Sequence, residues 1–228
     1  MTKKTAFFGW LMGRDKEENW GDLYKQGEKY LSERKLQKSL EQFERSLEVA
    51  RKIGDRMVEG YQQKMLGAVS GEIGKEQDDI NYLNKAIEHS EKAIEIAHEI
   101  DDKGLEGSVL SILGNIYMAR KDMHSMSSMV GTEEKPMMRI SGDGIQKFVG
   151  DNMLATECYE KSVAVFREIG DADNTANSLF LMAISLKEMG QSDRALLAVR
   201  EASQIWKKTG SHMAQYADKF LLQLQSKN

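Results

Sequence analysis

Three methionines and a histidine lie close together near the middle of the chain, at Met123, His124, Met126 and Met129. Thioether sulfurs are soft ligands that select copper(I) over harder cations, so the group has the residue types of a copper site. Methionine is also the flexible filler of apolar surfaces and of adaptable binding sites. We favour packing or contact with a partner over metal binding here, and we predict no metal and no other cofactor.

Two other stretches partly match ligand-binding loops. The pair Gly74-Lys75 invites comparison with the phosphate-binding loop. That motif needs a glycine where Val69 stands and a serine or threonine where Glu76 stands. The stretch DADNT at Asp171 lacks the glycine and the final glutamate of a calcium loop, so helix capping explains it better. Neither stretch predicts a ligand site.

Catalytic groupings are not found either. The single cysteine, Cys158, lies beside Tyr159 in a predicted helix, where a structural thiol is favoured over a nucleophile. The many carboxylates alternate with lysines, which is usual for solvated helix faces. The sequence therefore predicts a protein that is not an enzyme.

The composition indicates a helical protein without a strong electrostatic preference. One proline occurs in 228 residues, and proline is the residue that helices tolerate least. The net charge is −4 with basic and acidic residues interspersed. This argues against nucleic acid as a partner, since phosphate binding needs a dominant basic face. The lone cysteine, the absence of a transmembrane-length apolar run and the absence of a cleavable signal peptide predict a cytoplasmic location.

One helix ending is written four times along the chain. The copies are ARKIGDRM at Ala50, AHEIDDKG at Ala97, FREIGDADN at Phe166 and WKKTGSHM at Trp206. A glycine in this place can take the left-handed conformation that ends a helix, and the following aspartate can cap the next one. Each ending therefore predicts a sharp boundary between two helices.

Small residues recur at matching distances from these endings. Before each ending they are Ser39 and Ser46, Ala86 and Ala93, Ala155 and Ser162, and Ala195 and Ala202. After it they are Gly60 and Gly67, Gly107 and Gly114, and Ala176 and Ala183, with Gly27 in the first copy. Residues seven apart share one face of a helix, and a small residue there lets a neighbouring helix approach closely. The pattern predicts stacked helical hairpins that share a continuous core.

The third copy also carries two family spacings. Leu113-Gly114-x-x-Tyr117 and Ala155-x-x-x-Tyr159 have the spacings of the tetratricopeptide signature. Over roughly residues 20–225 the chain resembles a tetratricopeptide repeat protein. The nearest variant is the 40-residue form, as in kinesin-light-chain-like and Pins-like adaptors. The resemblance implies an all-α fold, an α-solenoid built as a right-handed superhelix of helical hairpins with a C-terminal capping helix.

The repeat predicts how the chain is divided. We expect an apolar N-terminal segment at residues 1–19 and a single solenoid domain at 20–228. The units are about 20–54, 55–101, 102–170 and 171–210, with a capping helix at 211–225. The third unit carries an insertion at 123–151, whose length makes it either functional or mobile. The few surplus residues of the second unit could be absorbed by longer helices.

The resemblance implies that the first helix of each unit lines a concave groove. In the family register the groove-facing residues are Tyr24, Glu28, Tyr61, Lys64, Ala68, Ser108, Ser111, Asn115, Met118, Asn177, Phe180 and Ile184. Only Lys64 and Asn115 match the clamp by which some family members grip a C-terminal carboxylate, so we do not expect that mode. Aromatic and aliphatic anchors with amides among them suit a peptide or a helix. By fold analogy, the chain is a scaffold or adaptor with a protein or peptide partner.

Two alternatives stay open. The chain could be a ligand- or peptide-responsive regulatory protein that acts through the insertion at 123–151. It could instead be a self-associating module, a homo-oligomer formed through residues 5–13, TAFFGWLMG. That apolar run would form a sizeable exposed patch unless it is covered. We favour its packing as a cap on the first hairpin. The alternatives are that it docks in the groove of this or another copy or touches a membrane surface.

Overall fold

The computed structural model describes residues 19–130, 138–140, 146–148 and 150–225, of which residues 122–130 and the two short strands are described by their backbone alone. The helices are α1 (Trp20–Ser32), α2 (Leu36–Ile53), α3 (Arg56–Gln77), α4 (Ile80–Glu99), α5 (Lys103–Val130), α6 (Asp151–Glu168), α7 (Ala172–Glu188), α8 (Ser192–Thr209) and α9 (Ala214–Gln225). Strands β1 (Met138–Ile140) and β2 (Gln146–Phe148) lie between α5 and α6.

The helices form a ladder of antiparallel hairpins. Consecutive helices pack on each other throughout, and α9 packs on α8. The first helices also contact across units, α3 with α5 and α5 with α7. The fold is the all-α solenoid that the repeat predicts, and among the described helices none is long and apolar enough to cross a membrane.

The insertion differs from its predicted bounds. Helix α5 continues to Val130, so helical backbone covers the first residues of the 123–151 stretch. Strands β1 and β2 pair antiparallel, with Arg139 opposite Lys147. No strand is predicted from the sequence, because three-residue strands are too short for an alternating pattern to show. The surplus of the second unit lies in longer helices, since α3 has 22 residues and α4 has 20.

Glycine and aspartate end the helices in the way that the repeated phrase predicts. Gly54, Gly170 and Gly210 take the left-handed conformation, with φ between 72° and 74°. The carboxylates of Asp55 and Asp171 then each accept a hydrogen bond at 3.0 Å from a backbone N–H in the first turn of the next helix. This pair replaces the proline that commonly follows the second helix of the repeat.

The recurring small residues lie in the seams between helices. A Cβ added at Gly114 would lie 2.5 Å from the ring of Tyr159, and one added at Gly27 would lie 2.8 Å from the ring of Phe43. At Gly67 the nearest atom is the Ser90 hydroxyl oxygen, at 2.7 Å. The eight small residues of the second helices, from Ser39 to Ala202, are fully buried. Close helix contact at these points is therefore what sets the repeat.

Candidate concave binding groove

The first helices α3, α5 and α7 lie side by side and border a concave cavity of about 380 Å³. Its lining residues are Ala68, Gly71, Glu72 and Lys75 of α3, Ile112, Asn115, Ile116, Met118 and Ala119 of α5, Tyr159 of α6, and Leu181 and Ile184 of α7. The α3 residues recur every three or four positions, so they form one face of that helix. The α5 and α7 walls are mainly aliphatic, and the α3 wall supplies the charged groups.

Asn115 is the polar side chain in the centre of the α5 wall. The Tyr159 hydroxyl donates a hydrogen bond to Asn115 Oδ1 at 2.7 Å. Burial of the Tyr159 ring, followed by the nearby Cys158 and Glu188, raises the pKa of its phenol above the ordinary value. The phenol therefore stays protonated and holds the Asn115 amide in one orientation. Within the described residues no acceptor takes a hydrogen bond from Asn115 Nδ2, so that group can donate to a ligand.

A second polar cluster lies towards the N-terminal end of the same surface. The Tyr61 hydroxyl donates to Asp102 Oδ2 at 3.1 Å, and the Lys64 ammonium lies 4.9 Å from the centre of the Tyr61 ring. Burial lowers the pKa of Lys64, while Asp102 and Glu28 act in the opposite direction. Burial and then Glu28 raise the pKa of Tyr24 to about 12. Lys64 and Ala68 are one turn apart on α3, so the cluster adjoins the cavity.

The comparisons with known proteins agree with this geometry. The family model of the tetratricopeptide repeat matches residues 145–208, which include α6, α7 and most of α8. The crystal structure of the apo form of RapI superposes on the fold with a TM-score of 0.61 at 12% identity, over 97% of this chain and 53% of the RapI chain. Residues 145–208 match the tetratricopeptide repeat family, and the described chain has the fold of a helical repeat protein.

The other comparisons add little. The chain spans about half the length of RapI, and at 12% identity that likeness shows the fold alone. The designed helical repeat protein DHR64 and the DHF119 filament give TM-scores of 0.29 and 0.27 at 18% and 17% identity. Each match covers 91% of this chain, with 93% of the DHR64 chain and 94% of the DHF119 chain. At these TM-scores, neither match supports a conclusion about this protein. No curated protein matches the sequence. The 40-residue variant stays a prediction.

Four of the groove residues predicted from the tetratricopeptide register line the cavity together, namely Ala68, Asn115, Met118 and Ile184. Tyr24, Glu28, Tyr61 and Lys64 belong to the adjoining polar cluster instead. Asn177 is exposed on α7, outside the cavity lining. The register thus names four of the twelve residues that line this cavity.

Three predicted residues have structural contacts in this repeat protein. Phe180 is half-buried, with ring centres 5.6 Å from both Trp206 and Phe220, so it packs against α8 and the capping helix α9. The Ser111 hydroxyl lies 2.8 Å from those of Ser162 and Ser178 and joins three helices. The Ser108 hydroxyl donates to the Gly104 carbonyl within its own helix. Phe180 is therefore a poor choice for testing the groove, since changing it would loosen the cap.

Other cavity residues were not singled out from the sequence. Gly71, Glu72 and Leu181 follow predicted positions by three or four residues, so helical periodicity could have found them. Tyr159 could not be found in this way, because it belongs to a second helix. It reaches the cavity only because Gly114 leaves space for its ring.

The predictions that concern residues 1–18 and the methionine side chains at 123–129 lie outside the described residues. Among the side chains that the structure does describe, no group of three or more histidine, cysteine, aspartate or glutamate residues could hold a metal ion. Cys158 is buried, 8% exposed, on the second-helix side of the solenoid.

Proposed function

We propose that this chain is a protein-interaction adaptor that binds a short peptide segment or helix in the concave groove. Repeats of the tetratricopeptide type are characteristic of such adaptors, and the cavity between α3, α5 and α7 carries the proposal. The cavity volume of about 380 Å³ lies within the range of small binding pockets. A cytoplasmic location for the adaptor remains a prediction of the sequence.

The lining suggests how a peptide would be held. Aliphatic side chains of the peptide would bury against Met118, Leu181 and Ile184, since removing apolar surface from water is the main source of affinity. Asn115 Nδ2 would donate to a backbone carbonyl and fix the register of the peptide. Tyr159 holds that amide before binding, so less ordering entropy is lost when the peptide arrives.

The test is a peptide selection followed by a matched pair of substitutions. A displayed random peptide library is selected on the purified full chain, and the affinity of the enriched peptide is measured by fluorescence anisotropy. Ile184→Glu places a charge in the aliphatic wall and should weaken binding at least tenfold. The control, Leu197→Glu, changes a residue that is 64% exposed on α8 and should leave affinity unchanged. Equal affinities for the two variants would show that the peptide binds elsewhere.

A regulatory role for the insertion is the second candidate, and one contact favours it. Met118 and Ala119 line the cavity, and the next residue, Arg120, is fixed to Asp151 by a buried ion pair at 2.7 Å. That pair joins the two helices from which the insertion departs, so a ligand on Met118 lies beside the base of the insertion. Limited proteolysis of residues 131–149 with and without the selected peptide tests it. An unchanged cleavage rate at saturation would count against regulation.

A further inference from the structure

A second cavity opens on the other side of the solenoid, between the second helices α4 and α6. Its volume is about 600 Å³, which is larger than that of the concave groove. The apolar part of its lining comprises Ile94 of α4, Leu110, Leu113 and Tyr117 of α5, and Leu154 and Val165 of α6. We call it the α4/α6 groove. Covering the apolar side chains of this groove with another apolar segment would be favourable, because it removes apolar surface from water.

The rim of the α4/α6 groove carries carboxylates on both walls, and most of them stand on the α4 side. Glu91 and Glu95 stand on α4, and Glu157 stands on α6, where it pairs with Lys161 of the same wall. Glu106 of α5 also lines the groove and is paired with Lys103 and His98. Carboxylates in the lining outnumber its lysines by four to one. Such a rim fits an occupant that carries positive charge and no negative charge.

The next seam along the same face shows a different arrangement. Between α6 and α8, Arg194 pairs with Glu160 at 2.6 Å and Arg167 pairs with Glu201 at 2.5 Å. Each pair joins the two walls of that seam. In the α4/α6 groove the cation of the α6 wall, Lys161, pairs instead with Glu157 of its own helix.

One stretch of the chain has the complementary composition. Residues 3–14, KKTAFFGWLMGR, carry Lys3, Lys4 and Arg14 and no carboxylate. Between these cations lie large apolar side chains, including Phe8 and Trp10. An apolar run with cations at both ends matches an apolar floor with carboxylates on both walls.

We propose that residues 3–14 of a second copy of this chain dock in the α4/α6 groove. The short linker between this segment and α1 favours docking in a second copy over docking in the same chain. Residues 15–19 span at most about 17 Å when fully extended. To reach the groove of its own chain, the segment would have to extend past two helices, α2 and α4. Packed helices lie about 8–10 Å apart, so the linker would have no length to spare. The resulting contact is head-to-tail, so it builds rings or open chains of subunits.

Charge reversal tests the rim. The mass of the full chain is measured by sedimentation over a wide concentration range, and concentration-dependent self-association is expected. Glu91→Lys with Glu95→Lys should weaken it about tenfold, since each exposed pair contributes up to about 1 kcal/mol. Adding Lys3→Glu and Lys4→Glu to the same variant should restore self-association. The control, Glu44→Lys with Glu48→Lys, makes the same change of net charge on the exposed face of α2 and should have no effect.

A disulfide tests the position of the segment and the copy that supplies it. Cys158 is the only cysteine of the sequence and lines the α4/α6 groove. In the Leu11→Cys variant, mild oxidation should link the introduced thiol of one chain to Cys158 of another and give dimers and larger species on non-reducing gels. Peptide mapping of the oxidised species should find the link between residues 11 and 158. The Leu222→Cys variant, changed at an exposed residue of α9, should give no link to Cys158.

Three results would overturn the proposal. If the full chain is monomeric at every concentration, the segment does not dock in a second copy. A disulfide formed within one chain assigns the groove to the chain's own segment. If the Glu91→Lys, Glu95→Lys variant self-associates as strongly as the control variant does, the contact lies outside the rim of the groove.

Discussion

Tyr159 connects the packing of the repeat with its binding surface. Its ring fills the space that Gly114 leaves open, and its hydroxyl orients Asn115 in the groove. Packing and the proposed ligand recognition therefore both depend on Tyr159. A substitution at Gly114 tests the packing role, and removal of the Tyr159 hydroxyl tests the binding role.

Gly114→Ala should destabilise the fold. The added Cβ would lie within 3 Å of three atoms of the Tyr159 ring, and overpacking of this kind costs about 1–3 kcal/mol. Alanine gains up to about 1 kcal/mol in helix propensity, so a net loss of about 1–2 kcal/mol is expected in urea unfolding. Gly104→Ala is the control in the same helix, because its Cβ would meet nothing closer than 3.4 Å. It should be neutral or stabilising.

Tyr159→Phe should reduce peptide affinity without loosening the seam. The ring and its contact with Gly114 are kept, while the hydrogen bond to Asn115 is lost. Ordering a freed side chain on binding costs about 0.5–1.5 kcal/mol, so the affinity for the selected peptide should fall about two- to tenfold in anisotropy. An affinity equal to that of the unchanged chain would show that the orientation of Asn115 does not matter for binding.

At the scale of the elements, ion pairs join the first two hairpins where three helices meet. Glu59 of α3 accepts from Arg51 of α2 at 2.9 Å and from Arg56 at 2.7 Å. Arg56 also donates to Glu99 of α4. Burial alone would raise the pKa of Glu59, but the hydrogen bonds from the two arginines outweigh it, and the pKa lies below its ordinary value. The carboxylate thus links α2 to α3 while it is ionised.

This pairing predicts a loss of stability in acid. A carboxyl group whose pKa is lower in the folded state contributes stability above its unfolded pKa, near 4.5, and loses it as the pH falls through the folded value. The melting temperature should therefore decline between about pH 5 and pH 3, and less steeply in Glu59→Gln. Glu44→Gln removes an exposed carboxylate of α2 and is the matched control. Parallel curves for Glu59→Gln and the unchanged chain would contradict the assignment.

At the scale of the whole molecule, Arg120 and Asp151 hold the third hairpin together across its insertion. Their side chains are only 5% and 8% exposed, and the Arg120 guanidinium lies 5.0 Å from the Tyr117 ring centre. The pair fixes α5 to the start of α6 despite the residues between them. The solenoid can therefore continue past an insertion that would otherwise separate the two helices of a repeat.

The buried pair predicts strong coupling between its two members. Arg120→Met takes the guanidinium of this buried pair away from Asp151, and removing one partner of a buried pair costs about 3–5 kcal/mol. Replacing both, with Asp151→Leu added, removes the buried carboxylate as well and should recover much of that loss. Urea unfolding of the two single variants and the double variant measures the coupling. Additive losses would show that the pair is not energetically linked.

Much of the fold is readable from the sequence because it depends on local chemistry. Gly54 and Asp55 end one helix and cap the next through their own backbone and side-chain preferences. The small residues at Gly67 and Ala183 mark the seams because helical periodicity places them on one face. Only a third of the residues that line the groove could be read from the sequence. Asn115 and Ile184 follow the register, whereas Phe180 packs on α9, which no repeat position specifies.

The sequence by itself determined the hairpin repeat, the helix endings at Gly54, Gly170 and Gly210, and the faces that pack, since each depends on residues close together in the chain. Tertiary structure alone decided which side chains meet across units. It placed Tyr159 beside Asn115, Arg120 beside Asp151, and Glu91 and Glu157 on opposite walls of one groove. These pairs are 31 to 66 residues apart. Their meeting depends on how each hairpin stacks on the next, which neither periodicity nor capping encodes.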